Sequence, residues 1–303
     1  MLPKLEGYAS ARLEALNQSA LVTVARDLAS LEQTILGHAN LHAVLTDTSI
    51  ASVARGQVLR DVLTGKMSET ALDLVVYAAV EVPAQEIPHA IAELAVDARR
   101  ISENGVDVPV NLGLLAARER VSGYADAMLN QVTTDNFTQI ESDLFTWAHY
   151  IRNRIELRRL LTDRDAPVEE RMAVTRQLLD GKVHPVALAL ACYVIEGGRP
   201  RDVSGSVDYL VDYIAKARDW RIARIHTARD LDQVSRDELV ASLVSVTGKS
   251  VELQVAHEPS LLGGLLIEIG DLRLDATTKG RLSVLHDAVA SGRLYESTMN
   301  RND

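Results

Sequence analysis

The sequence is poor in cysteine and in aromatic residues. Its 303 residues include one cysteine, Cys192, so no disulfide can form within the chain. Because Cys192 lies in the apolar run 186–195, we expect a small buried side chain there rather than a reactive thiol, in a reducing compartment. Aromatic residues make up only 4%, so the core must be built from Leu, Ala, Val and Ile. This composition favours packed helices over an aromatic-rich β-sandwich.

Positive charge and long hydrophobic runs are also scarce. The net charge is −10, and basic residues form no cluster longer than pairs such as Arg158-Arg159. Such a chain repels phosphate groups, so we expect neither nucleic-acid binding nor direct docking on anionic lipid. The longest uncharged stretches, 33–46 and 183–195, have 14 and 13 residues and are too short to cross a bilayer. Residues 1–40 lack the pattern of a secretion signal, so we expect neither a transmembrane segment nor a leader.

What the chain does have is an internal repeat at an offset of 116 residues, without gaps. Gly7-Tyr8-Ala9 aligns with Gly123-Tyr124-Ala125, and Leu45-Thr46-Asp47 aligns with Leu161-Thr162-Asp163. Further identities continue through Tyr77 and its counterpart. Self-similarity over this length indicates a duplicated domain.

Each copy has the pattern of a helical bundle. Apolar residues recur every three or four positions, as at Ile140, Leu144 and Trp147. Gly181 is predicted to end one helix in the left-handed conformation, and Pro185 to begin the next. Turns this short join antiparallel neighbours.

The pattern also places the domain boundaries. The last helix of the second copy is expected over 203–219, and glycine and proline at 102–117 mark the boundary between the copies. We therefore predict one helical bundle over 1–105 and a second over 106–220.

Residues 221–303 have a different periodicity, which predicts a small α+β module. Strands are expected at 222–227, around Val251–Val255, and as a hairpin from Leu265. Ser235, with Glu238 three residues later, is predicted to cap the first helix. A last helix is expected around 282–289. The fold class is therefore mainly α: two tandem helical bundles followed by this module.

Residues 117–303 resemble the delta subunit of F-type ATP synthase, the bacterial relative of the oligomycin sensitivity-conferring protein. Four stretches of the chain carry the resemblance. They are Gly123-Tyr124-Ala125-Asp126-Ala127, the helix end 157–163, Gly197-Gly198-Arg199, and the string Glu258-Pro259-Ser260-Leu261-Leu262-Gly263-Gly264, which is followed by Ile269-Gly270-Asp271. The extra N-terminal bundle is similar to the longer actinobacterial forms.

The resemblance implies a non-catalytic stator function. In the family, the helical domain holds the N-terminal helix of an α subunit of the catalytic head, and the C-terminal module receives the end of the b subunit. This linkage keeps the head from turning with the rotor during proton-driven ATP synthesis. It also implies a peripheral location in a membrane complex, at the cytoplasmic face of the bacterial cell membrane.

Two partner sites are predicted. Small side chains on the first and fifth helices of the second copy would leave a groove for an amphipathic helix, although the same alanines could instead face their own core. Gly263-Gly264 could either serve the fold or contact b directly. The predicted groove residues are Tyr124, Ala125, Ala127, Met128, Ala187, Leu190, Ala191, Tyr193, Gly198 and Arg199, and the predicted b-side residues are Pro259, Leu261, Leu262, Gly263 and Gly264.

The first copy departs from this pattern, because it has Glu81-Val82-Pro83 where the second has Gly197-Gly198-Arg199. It could brace b or hold a second α tail. The alternative function for the whole chain is an unrelated helical adaptor that binds other amphipathic helices.

No catalytic, cofactor or metal site is predicted. Residues 247–250 end like a phosphate-binding loop, but Leu243 replaces the required first glycine, and the loop joins a helix to a strand rather than the reverse. His38 and His42 would share a helix face without the glutamate of a zinc protease. The acidic residues at 163–170 are better explained by helix capping than by acid–base chemistry.

Overall fold

A computed structural model of the chain describes residues 2–105, 112–163, 165–196, 199–219, 222–228, 231–247, 251–258, 261, 263–269 and 272–277. The chain folds as two compact units, Met1–Ala215 and Lys216–Asp303. The first unit holds all of residues 1–105 and most of 106–220. The mainly α fold class is confirmed.

The two copies have the same helices in the same order. The six helices of the first copy are α1 (Pro3–Leu13), α2 (Gln18–Gly37), α3 (Ala39–Thr46), α4 (Ser52–Leu63), α5 (Glu69–Glu81) and α6 (Ile87–Asn104). Those of the second copy are α7 (Leu114–Leu129), α8 (Asp135–Asn153), α9 (Ile155–Thr162), α10 (Val168–Leu179), α11 (Pro185–Glu196) and α12 (Val203–Asp219). After a shift of 116 residues, the bounds of α9 and α10 coincide with those of α3 and α4.

The helix ends follow the predicted turn chemistry. Gly181 has φ 68° and its counterpart Gly65 has φ 74°, so both occupy the left-handed region that a side chain disfavours. Pro185 begins α11, as predicted. The carboxylate of Asp163 accepts a hydrogen bond from the backbone N–H of Asp165 at 2.9 Å, which is a turn contact rather than the predicted helix cap, because α10 has no side-chain cap.

One arginine in each copy is buried against helix-end carbonyl groups. Arg55 is 4% exposed, and its guanidinium donates to the backbone oxygens of Asp47 and Ile50 at 3.3 and 2.8 Å. Its counterpart Arg171 is 3% exposed and donates to the oxygen of Leu161 at 3.3 Å. Since the last carbonyl groups of a helix lack partners within that helix, these arginines satisfy backbone groups inside the bundle.

The second unit contains a four-stranded sheet. Strand β1 (Ile222–Thr227) pairs in parallel with β2 (Glu252–His257) through helix α13 (Gln233–Thr247). On its other side β1 pairs antiparallel with β3 (Leu265–Ile269), and β3 pairs antiparallel with β4 (Leu272–Asp275). The order is β2-β1-β3-β4.

The predicted strands are confirmed, but the predicted helix cap is wrong. The carboxylate of Asp232 accepts from the backbone N–H of Ser235 at 2.8 Å, so α13 begins earlier, and Ser235 lies inside its first turn. Asp232, rather than Ser235, therefore caps the helix, by accepting from a free N–H of the first turn. The predicted hairpin turn at 270–271 and the predicted helix around 282–289 lie outside the described residues.

Replacing Leu190 with alanine tests the helical core. Leu190 is fully buried in α11, so Leu190→Ala is expected to lower the free energy of unfolding by about 2–5 kcal/mol, through lost burial and an added cavity. Leu115→Ala is the control, because Leu115 is 72% exposed on α7; its expected effect is within about 0.5 kcal/mol. Urea unfolding followed by circular dichroism measures both. Equal effects of the two substitutions would contradict the described core.

Candidate functional site

The helices α1 and α7 cross at two glycines. A Cβ added to Gly7 would overlap the backbone carbonyl oxygen of Arg120, and a Cβ added to Gly123 would overlap that of Lys4. The two contacts are equivalent under the repeat, since 7 and 4 become 123 and 120 after the shift of 116. The two copies therefore pack first helix on first helix through a pseudo-twofold contact that only glycine permits.

Stacked tyrosines flank the crossing on both sides. The rings of Tyr8 and Tyr77 are 3.7 Å apart at their centroids, and those of their counterparts Tyr124 and Tyr193 are also 3.7 Å apart. Each pair joins the first and fifth helices of one copy. The stacked rings bury large apolar areas and so help to join these helices.

The carboxylate of Asp126 on α7 contacts polar groups from three other helices. Its carboxylate accepts from the hydroxyl of Tyr77 at 2.8 Å and from that of Tyr213 at 2.7 Å, and it lies 3.5 Å from the ammonium of Lys4. Burial, together with the negative charge of Asp126, raises the pKa of both tyrosines. Asp126 therefore links the second copy to α1 and α5 of the first.

Arg120, the counterpart of Lys4, lies on the other side of the crossing. It is 1% exposed, and its guanidinium donates to the carboxylate of Glu6 at 3.1 Å and to the hydroxyl of Ser10 at 3.3 Å. The guanidinium carbon also lies 4.9 Å from the ring centroid of Tyr193, within cation–π range. Ser10 is the counterpart of Asp126, so the equivalent position carries a neutral hydroxyl in the first copy and a carboxylate in the second.

Two carboxylates, one from each copy, lie near Arg120. Desolvation and the nearby charge of Glu196 raise the pKa of Glu14 to about 7, against the opposing effect of Arg120. Desolvation likewise raises the pKa of Glu196, at the end of α11. Glu14 keeps substantial solvent exposure, so solvent screens the repulsion between the two groups.

Most predicted groove residues lie in the interior of the unit. Six of them are at most 1% exposed: Ala125, Ala127, Ala187, Leu190, Ala191 and Tyr193. Tyr124 and Met128 are half-buried and pack against the core of the first copy, and Ala127 is part of that core. The six side chains that are at most 1% exposed are therefore not at the surface of the isolated chain.

Of the other two predicted groove residues, Arg199 is described by the structure. Arg199 is half-buried, and its guanidinium donates to the backbone oxygen of Leu112 at 3.1 Å, just before α7. It therefore fixes the start of the helix that carries Tyr124. Gly198 lies outside the described residues.

Three of the predicted b-side residues, Leu261, Gly263 and Gly264, are among the described residues of the second unit. Gly263 has φ 147° and Gly264 has φ 84°, and a Cβ on Gly264 would overlap the backbone of Ala276 and Thr277. Fold geometry therefore accounts for Gly264 without a partner. Leu261 is half-buried. Pro259 and Leu262 lie outside the described residues.

The described part of the chain offers no metal centre, since no group of three or more His, Cys, Asp or Glu side chains could hold an ion there. His38 lies between α2 and α3 with extended backbone, so the expectation that it shares a helix face with His42 is wrong.

Cys192 is 6% exposed, and burial raises the pKa of its thiol, which agrees with an unreactive side chain. Among the described helices, none is long and apolar enough to span a membrane.

Sequence reasoning missed Gly7, Gly123 and Arg120 as contact residues. A signal was present: a glycine in a helix interior costs about 1 kcal/mol relative to alanine, and here it occurs at the same position in both copies. That coincidence indicates a close approach of two helices.

Asp126 is expected to be a stability determinant of the helical unit. Asp126→Ala would leave the hydroxyls of Tyr77 and Tyr213 without their acceptor and is expected to cost about 2–4 kcal/mol. Asp212→Ala, at an exposed position of α12, is the control, with an expected effect within about 0.5 kcal/mol. Denaturant unfolding of both variants provides the measurement. A cost below that of the control would show that Asp126 does not join the copies.

Glu14 is expected to make stability depend on pH. Because its pKa rises from 4.5 to about 7 on folding, the folded state holds the proton more tightly, and stability falls as pH rises from about 4.5 through 7. Glu14→Gln removes this loss, so its melting temperature should exceed that of the wild type by an amount that grows from pH 5 to pH 8. Glu103→Gln, at an exposed position, is the control. A difference independent of pH would contradict the assignment.

Comparison with known proteins assigns the family. The model of the ATP synthase delta (OSCP) subunit family matches residues 121–289, more than half of the chain. The ATP synthase subunit delta of Salinispora tropica is 28% identical over 275 residues, covering 90% of each chain. That of Nocardia farcinica is 30% identical over 276 residues, covering 90% of this chain and 92% of the relative.

Matches of this length extend beyond residues 121–303, so these relatives share sequence with the first copy as well. A solved chain from the Toxoplasma gondii mitochondrial ATP synthase hexamer covers 56% of this chain and 97% of its own length at 16% identity, with a TM-score of 0.26 that is too low to establish a shared fold. On the family model and the two relatives, the chain belongs to the ATP synthase delta (OSCP) subunit family, whose members are non-catalytic subunits of that complex.

Proposed function

We propose that this chain is the peripheral-stalk subunit that links the catalytic head of an F-type ATP synthase to its b subunit and resists the torque of the rotor. The observation that carries the proposal is the match to relatives named ATP synthase subunit delta over 90% of the chain. The proposed location is peripheral, on the cytoplasmic face of the bacterial membrane.

The packing of the helical unit suits this role. A stator must transmit force without deforming, and tightly packed protein interiors have low compressibility. The two copies share a contact at Gly7 and Gly123 and the hydrogen bonds of Asp126 and Arg120. These contacts support a single stiff unit rather than two domains joined by a flexible linker.

The proposed partners are two helical segments. The N-terminal helix of an α subunit would bind the second copy at its first and fifth helices, α7 and α11. The C-terminal region of b would bind the second unit around 259–264. Amphipathic helices bind such grooves through a few buried apolar anchors.

Calorimetric titration of the full chain tests both partners. A peptide of about the first 25 residues of the cognate α subunit, long enough for two average helices, and a C-terminal segment of b are titrated separately and then together. Saturable binding of both, each unaffected by the other, is expected. Failure of both to bind would contradict the stator function and favour the adaptor alternative.

Leu261→Asp separates the two sites. Placing a charge at this half-buried apolar position is expected to weaken binding of the b segment at least about tenfold, with binding of the α peptide unchanged. Leu274→Asp is the matched control in the same unit, because Leu274 is 40% exposed on β4. Equal losses in the two variants would show that Leu261 has no special part in binding b.

A further inference from the structure

The first copy covers part of the face that the second copy would offer to a partner helix. Tyr124, Ala127 and Met128 of α7 pack against the hydrophobic core of the first copy. At Gly123 the backbone of α1 approaches so closely that no side chain fits between the helices. The same segment that was predicted to bind a foreign helix therefore already contacts a helix of its own chain.

Helix α1 belongs to the core of the first copy and also contacts α7. Its buried residues, which include Leu5, Tyr8 and Leu13, lie on all sides of the helix. Its polar groups meet α7: Glu6 and Ser10 accept from Arg120, and Lys4 lies 3.5 Å from Asp126. Helix α1 therefore covers α7 with a close backbone contact and flanking polar contacts.

The fifth helix of the second copy is linked to α1 through Arg120 of α7. The ring of Tyr193 on α11 is stacked on Tyr124 and lies under the guanidinium of Arg120, which is itself hydrogen-bonded to α1. If α1 moved away from α7, Arg120 would lose its hydrogen bonds to Glu6 and Ser10. Because Arg120 also contacts the ring of Tyr193, this change would reach α11.

We infer that α1 is an internal occupant of the α7–α11 face, so that a partner helix binds the second copy there only by displacing α1. The contact is reciprocal, so displacement also uncovers the equivalent face of the first copy, between α1 and α5. The inference rests on the proposed function for the identity of the partner, a helix from the α subunit. It adds that partner binding and opening of the contact between the copies are one event.

A glycine substitution tests this competition in the full chain. Gly7→Val adds a side chain that overlaps the backbone of Arg120 and forces α1 away from α7, while valine favours a helix over glycine and so leaves α1 itself intact. Gly37→Val is the matched control, because a Cβ at Gly37 meets no atom within 4 Å. Calorimetry with the α-subunit peptide should show at least about tenfold tighter binding to Gly7→Val than to the wild type or the control, since the cost of removing α1 is no longer part of binding.

Hydrogen exchange of the wild-type chain provides a second readout that does not depend on the variant folding. Saturating peptide is expected to reduce the protection of the amides of α1 while leaving those of α4 unchanged. Peptide binding with α1 fully protected would overturn the inference and leave the proposed function standing. Absence of binding to the wild type and to a folded Gly7→Val would overturn both.

Discussion

The close crossing of α1 and α7 is the contact on which the helical unit depends. Two glycines allow the backbones to touch at Gly7 and Gly123, and no larger residue fits either position. The stacked tyrosine pairs and the partners of Asp126 and Arg120 are arranged around this point. A duplication that would otherwise give two tethered domains thereby gives one compact unit.

The two sides of the crossing have diverged in charge while keeping their geometry. Lys4 and Asp126 lie on one side, and their counterparts Arg120 and Ser10 lie on the other. On the Arg120 side, the partly desolvated carboxylate of Glu14 shares the space with Glu196. On the Arg120 side, stability is therefore expected to depend on pH. On the other side, two tyrosine hydroxyls stabilise the carboxylate of Asp126.

Local structure was largely predictable from the sequence, whereas the packing between the copies was not. The bounds of α12 and β1 and the left-handed glycine at 181 follow from periodicity and turn chemistry. Repetition shows that two copies exist but not how they contact each other, because the same apolar stripe can face its own core or a neighbour. The predicted groove residues illustrate this limit: the sequence leaves Ala125 open between a groove and the core and predicts Leu190 in the groove, and both are fully buried.

Native-state hydrogen exchange in increasing denaturant tests most directly whether the crossing makes the two copies one unit. Helices α2 and α8 are equivalent in the two copies and do not belong to the crossing. If the contact couples the copies, the slowest amides of both helices will exchange through one opening event with the same free energy and the same denaturant dependence. Two distinct opening free energies, with α2 and α8 exchanging independently, would contradict a single cooperative unit.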